Sequence, residues 1–143
     1  MQTWAIRHPV LTAGLELTPH YLNGAAHAAD STAKSWDWWL DKLLAIRQLE
    51  DDWDGQGSPA PTVEVVDSAL VLAMLLRRDG AEPPTGIVQG VSGEVLFDWQ
   101  SADGKYVEVE VTGPYEADVF IHKAGQPLKH VRMEAMQRDG AAA

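Results

Sequence analysis

Near residue 86 the hydrophobic pattern of this 143-residue chain changes period. Before that point apolar residues recur three and four positions apart; after it they alternate with polar ones. The first pattern requires helices with one buried stripe, the second strands with one buried face. Helices followed by a run of strands is the α+β order.

Trp36, Trp39, Leu40, Leu43, Leu44 and Leu49 mark a helix over residues 31–49, with Ser31 or Ser35 able to cap it. Thr62 caps a second helix, about Val63–Arg78, with Val63, Val66, Leu70, Ala73, Met74 and Leu76 facing inward. Arg77 and Arg78 suit its last turn, Gly80 its end, and Pro83-Pro84 closes the helical half. Strands follow at Ile87–Gly90, Glu94–Gln100, Lys105–Thr112 and Tyr115–His122. Residues 128–136 read equally as a fifth strand or a closing helix. The predicted fold is therefore α+β: two helices packed on one face of an antiparallel β-meander of four to five strands, the other face meeting water. Residues 1–30, punctuated by Pro9, Gly14, Pro19 and Gly24, read as an irregular arm. Residues 31–138 form a single domain, and 139–143 a frayed tail.

The composition removes several classes of function. With no cysteine, the chain holds no disulfide, thiolate metal site or cysteine nucleophile. The longest apolar run, Ala69–Leu76, is far too short to span a bilayer, and the N-terminus lacks the basic and apolar regions of a signal peptide. A cytoplasmic location is the default expectation. Eleven Lys and Arg against 21 Asp and Glu give a net charge of −10, which argues against nucleic-acid binding, since phosphate affinity comes from Lys and Arg. No zinc-type spacing links His8, His20, His27, His122 and His130, and no phosphate-binding or dinucleotide glycine pattern occurs. No cofactor is expected.

Between the helices lies an acidic turn with Glu50, Asp51, Asp52 and Asp54 around Trp53, followed by Gly55 and Gly57. It imitates the opening of a calcium loop, but the position that needs a bidentate carboxylate is Pro61. A structural role fits better: Trp53 filling the gap between the helices, Asp54 accepting backbone N–H groups, and Gly55 and Gly57 supplying positive φ. The run Trp53-Asp54-Gly55-Gln56-Gly57-Ser58, together with Pro83-Pro84 and Gly93-Glu94-Val95-Leu96-Phe97-Asp98-Trp99, resembles a feature of small uncharacterised bacterial proteins. In those a Trp-Asp-Gly-x-Gly turn joins two helices, and a Pro-Pro pair and a β-meander follow. The resemblance spans roughly residues 40–112 and implies this architecture without implying an activity.

Alternation places Glu94, Asp98, Glu108, Glu110, Glu116 and Asp118 on the water side of the sheet, with Leu96, Tyr106, Phe120 and His122. Residues 86–122 carry seven acids and only Lys105, whereas 123–138 are net basic. Such a face is either plainly solvated or a docking surface for a basic protein, where charge steers encounter and apolar groups supply energy. Trp38, off the buried stripe, is a further anchor candidate. The sequence favours a non-catalytic acidic binding domain, such as a bacterial or phage antitoxin, immunity protein or inhibitor of a nucleic-acid-binding enzyme. The alternative is a metal-dependent nuclease using Asp98, Glu108 and Glu110, and a purely structural subunit is the third reading.

Overall fold

A computed structural model of the chain describes residues 2–4 and 34–137. Its elements are β1 (Gln2–Trp4), α1 (Trp36–Ile46), α2 (Val63–Arg78), β2 (Gly86–Gln89), β3 (Val95–Gln100), β4 (Tyr106–Gly113), β5 (Glu116–His122), β6 (Lys129–Met133) and β7 (Ala135–Gln137). Strands β2 to β6 form one antiparallel sheet in sequence order, a five-stranded meander. The α+β expectation of helices packed against a meander holds.

The two helices are antiparallel partners over the sheet. Ser35 caps α1, its hydroxyl accepting the Trp38 N–H, and Thr62 caps α2, accepting from Val65. Ion pairs clasp the two ends: Arg77 with Asp37 and Arg47 with Asp67. Trp36, Trp39, Leu43 and Ile46 of α1 and Val66, Ala69, Leu72, Ala73 and Leu76 of α2 are buried against one sheet face. That face is built from Ile87, Val95, Phe97, Trp99, Val107, Val109, Val111, Ala117 and Val119. The strict alternation of valines in β4 with Glu108 and Glu110 fixes which side meets the helices.

Several expectations need correction. The first helix begins at Trp36 and ends at Ile46, shorter than 31–49, because Ser35 is the cap; Ser31 lies outside the described residues. Leu44, Val63 and Met74 point to solvent, since the helix pair buries a narrower stripe than hydropathy alone assigns. The choice left open over 128–136 falls to strand: β6 pairs β5, and β7, starting at Ala135, pairs β1. The N-terminal arm is not wholly irregular. β1 places Trp4 in the core, 3% exposed, with its indole N–H on the Ser68 carbonyl at 2.7 Å and its ring 5.7 Å from that of Tyr115. The domain therefore includes the first residues of the chain. The rest of the arm, 5–33, and the tail, 139–143, lie outside the described residues.

Candidate functional site: the open face of the sheet

The register of the meander builds the open face in cross-strand rows. One row runs Gly86, Asp98, Glu108, Phe120, His130. The next runs Val88, Leu96, Glu110, Asp118, Arg132. A third contains Gln100, Tyr106 and His122. The nine residues singled out for binding divide between this face and its border: Leu96, Asp98, Tyr106, Glu108, Glu110, Asp118 and Phe120 stand in these rows, Glu116 opens β5 in phase with them, and Glu94 borders β3.

The face has two electrostatic halves. On the β5–β6 side the carboxylates are paired. Arg132 donates to Asp118 at 2.8 Å and to Glu116 at 3.0 Å, and its guanidinium also reaches the Thr112 hydroxyl. The His130 Nε2 lies 2.7 Å from Asp118, and the imidazole stacks on Phe120 with 4.7 Å between ring centroids. Burial pushes the Asp118 carboxyl up, but the hydrogen bonds and charges of His130 and Arg132 outweigh it and hold it below its ordinary value.

On the β3–β4 side no cation of the described residues lies within ion-pair reach of Asp98, Glu108 or Glu110. Asp98 stands directly across from Glu108, and like charges in that position repel. The Asp98 Oδ1 is buried without a hydrogen-bond partner, over Gly86, where a Cβ would approach it to 2.9 Å. Burial first, and the charge of Glu108 second, raise the Asp98 carboxyl above its ordinary range, against a smaller lowering by the Gly86 backbone N–H. Glu110 is raised likewise, by burial and then by Glu94, Glu108 and Asp118. Tyr106 donates its hydroxyl to the Glu108 Oε2 at 2.6 Å, and burial together with that carboxylate suppresses ionisation of the phenol. Glu94 folds back to accept the Ser92 N–H, and a Cβ at Gly90 would overlap its carboxylate.

Sequence reasoning placed these acids on one face but missed their pairing partners. Arg132 and His130 lie beyond a turn whose length does not dictate the register of β6, so alternation alone could not bring Arg132 opposite Asp118 or His130 diagonally beside it. Among the described residues no three His, Asp or Glu side chains are grouped to hold a metal ion, Asp98, Glu108 and Glu110 included.

The acidic turn is a separate structure. Asp52 has φ of 65° and its carboxylate accepts the Gly57 N–H at 2.7 Å. Asp51 accepts from Ala60, and Asp54 accepts the N–H groups of Gln56 and Ser58 and the Ser58 hydroxyl. The Ser58 hydroxyl first, and the Gln56 N–H second, hold the Asp54 carboxyl low. Gly55 and Gly57 take positive φ, as the turn requires. Trp53 does not plug the gap between the helices. It is half-buried and outside the core, its indole N–H resting 3.2 Å from the Pro59 carbonyl. The carboxylates tie the loop to itself, so the indole lies along the loop rather than beneath it. Trp38 stands exposed on α1, with the Lys34 ammonium 4.7 Å over its ring.

No described helix is long and apolar enough to cross a membrane. Compared with known proteins, the chain matches no family model, no curated protein and no solved structure.

Proposed function

We propose that this chain is a non-catalytic binding domain whose open sheet face docks a basic protein. The observation that carries the reading is the β3–β4 half of that face: three carboxylates that no cation of the described residues pairs, set among the apolar side chains of Val88, Leu96 and Phe120. A solvated carboxylate is fully hydrated, whereas Asp98 and Glu110 are partly desolvated and raised, a cost that an arriving cation relieves. The neighbouring apolar groups supply contact area of the kind that carries binding energy. The most concrete form is a cytoplasmic neutraliser of bacterial or phage origin: an antitoxin, immunity protein or inhibitor of a nucleic-acid-binding enzyme. Such a partner presents a basic surface that an acidic face matches.

The test compares the wild-type chain with Glu108→Lys/Glu110→Lys as baits for basic proteins, followed by kinetics with the purified partner. Charge acts mainly on association rate and apolar contact on dissociation. The double variant should associate more slowly, with the deficit shrinking as salt rises to about 0.15 M and beyond. Phe120→Ala should instead speed dissociation. A correctly folded double variant that associates at the wild-type rate in low salt defeats the proposal.

A further inference from the structure

The two helices carry one pattern twice. Asp37, Leu40, Leu44 and Arg47 follow one another along α1 and its C-cap at the spacing that Asp67, Leu70, Met74 and Arg77 keep along α2. Steps of three, four and three residues hold such a set on one stripe of a helix. The helices are antiparallel, and the ion pairs Asp37–Arg77 and Arg47–Asp67 fix their register. That register sets Leu40 opposite Met74 and Leu44 opposite Leu70. An apolar patch thus lies along the helix seam, framed by an ion pair at each end. It is open to solvent: Leu44 is 50% exposed and Met74 58%, with Leu40 and Leu70 half-buried beside them.

We propose that this patch is a self-association surface, on which two copies of the chain pack helix layer to helix layer about a two-fold axis crossing α1 level with Lys42 and α2 level with Leu72. Such an axis lays each helix antiparallel on its own counterpart, so the same patch serves both copies. Both stripes run acid, apolar, apolar, base, and reversal therefore sets acid on base and apolar on apolar. Leu40 meets Leu44 of the second copy, and Leu70 meets Met74 of the second copy. Asp37 comes over Arg47 of the second copy, and Asp67 over Arg77 of the second copy. Each ion pair of one chain becomes half of an alternating four-charge cluster. Acids near a helix N-terminus and bases near its C-terminus suit the dipole of each helix alone. One order at one spacing on both helices, brought into register, goes further and makes the face complementary to itself. The net charge of −10 opposes self-association. The carboxylates of the open sheet face, however, lie beyond the helix layer and the sheet, farther off than the about 8 Å over which charge acts in physiological salt. Two helices about 10 Å apart and about 16–24 Å long offer on the order of several hundred Å² per copy, which suits a weak, concentration-dependent dimer. The proposal does not depend on the docking reading. It leaves the open sheet faces free, turned away from each other on the two sides of the dimer.

Sedimentation equilibrium of the full chain from about 10 µM to 1 mM, in about 0.15 M salt, tests this without any docking partner. The average mass should climb from one chain toward two. Met74→Lys should keep the chain monomeric throughout, and since the residue is exposed its thermal unfolding should match wild type. Asp37→Arg with Arg77→Asp exchanges the members of an ion pair and so preserves it within the chain, but it opposes like charges across the two-fold. That variant should raise the dimer dissociation constant about tenfold or more. Adding Asp67→Arg with Arg47→Asp should restore the wild-type value. A wild-type chain still monomeric at the highest concentration overturns the proposal, whatever else binds the patch. A dimer that Met74→Lys leaves intact overturns it as well, because its contacts then lie elsewhere. A dimer indifferent to the first exchange, or not restored by the second, overturns the two-fold pairing.

Discussion

Trp4 offers the sharpest test of how the molecule is held together. It belongs to a three-residue strand at the start of the chain, yet it is buried in the common core. Its indole donates to the carbonyl of Ser68 in α2, and its ring packs against Tyr115 in the β4–β5 turn. Ser68 is itself buried; its hydroxyl donates to the Glu64 carbonyl and accepts the Tyr115 N–H. One side chain thus joins a helix, a turn and a terminal strand. Replacing it with alanine removes a large buried aromatic, which costs about 3–5 kcal/mol. Whole domains are stable by roughly 5–15 kcal/mol, so the loss is a large share of the total. At about 2–4 °C per kcal/mol for a chain of this size, Tm should fall by roughly 6–20 °C. Trp4→Phe keeps the ring contact and removes the donor, leaving the Ser68 carbonyl without its indole partner, a penalty of about 1–3 kcal/mol. Deleting residues 1–4 should reproduce Trp4→Ala. Urea titrations followed by far-ultraviolet circular dichroism would rank the three variants. A Trp4→Ala midpoint indistinguishable from wild type, or a deletion without effect, refutes the inclusion of β1 in the core.

Stability should peak on the acid side of neutrality. Asp98 and Glu110 bind protons more tightly folded than unfolded, so stability falls as pH rises from the ordinary carboxyl range through their raised values. Asp54 and Asp118 act oppositely, losing their contribution as pH falls through their lowered values. Urea midpoints across pH would reveal this maximum, and Asp98→Asn should flatten its upper limb; a midpoint climbing steadily toward neutral pH contradicts the assignment. Trp53→Ala should cost only about 1 kcal/mol, within the range for a half-buried surface residue, and less than Asp54→Ala, which unties the turn; thermal unfolding of the pair decides the order. Arg132→Ala should change stability by about 0–1 kcal/mol, as exposed pairs do, yet move the Asp118 titration upward in carboxyl NMR. An unmoved Asp118 would show that Arg132 does not hold it.

The two-period pattern was enough to find the helices, the meander and the open face, because burial dictates period and period is local. The valines and glutamates of β4 carry that information within eight residues. What escaped the sequence depends on distant partners. Trp4 and Ser68 are 64 residues apart, and no spacing rule links a strand of three residues to the middle of a helix. The pairing of Arg132 with Asp118 depends on how β6 slides along β5, which neither alternation nor the connecting turn specifies. Trp53 misled for a different reason. Hydropathy assigns a tryptophan to the core, but three aspartates of its turn are consumed by backbone N–H groups of the same loop, so the loop closes on itself and carries the indole along.

The two halves of the open face differ in how well they obey the rules of sheet stability. An antiparallel sheet with one solvated side gains from cross-strand pairs of opposite charge, and the β5–β6 half follows that rule with Arg132 directly opposite Asp118. The β3–β4 half breaks it, opposing Asp98 to Glu108 with a buried oxygen left unpartnered. Stability alone would favour a lysine or threonine at either position, since nothing in the register prevents one. The chain also places glycine at 86, where a side chain would collide with the very carboxylate that is unpaired. Local rules broken at one patch, and obeyed on the adjacent strands of the same face, are what the proposed docking role accounts for. On the proposed function, a cation of the docking partner would relieve the repulsion between Asp98 and Glu108, which no cation of the described residues offsets.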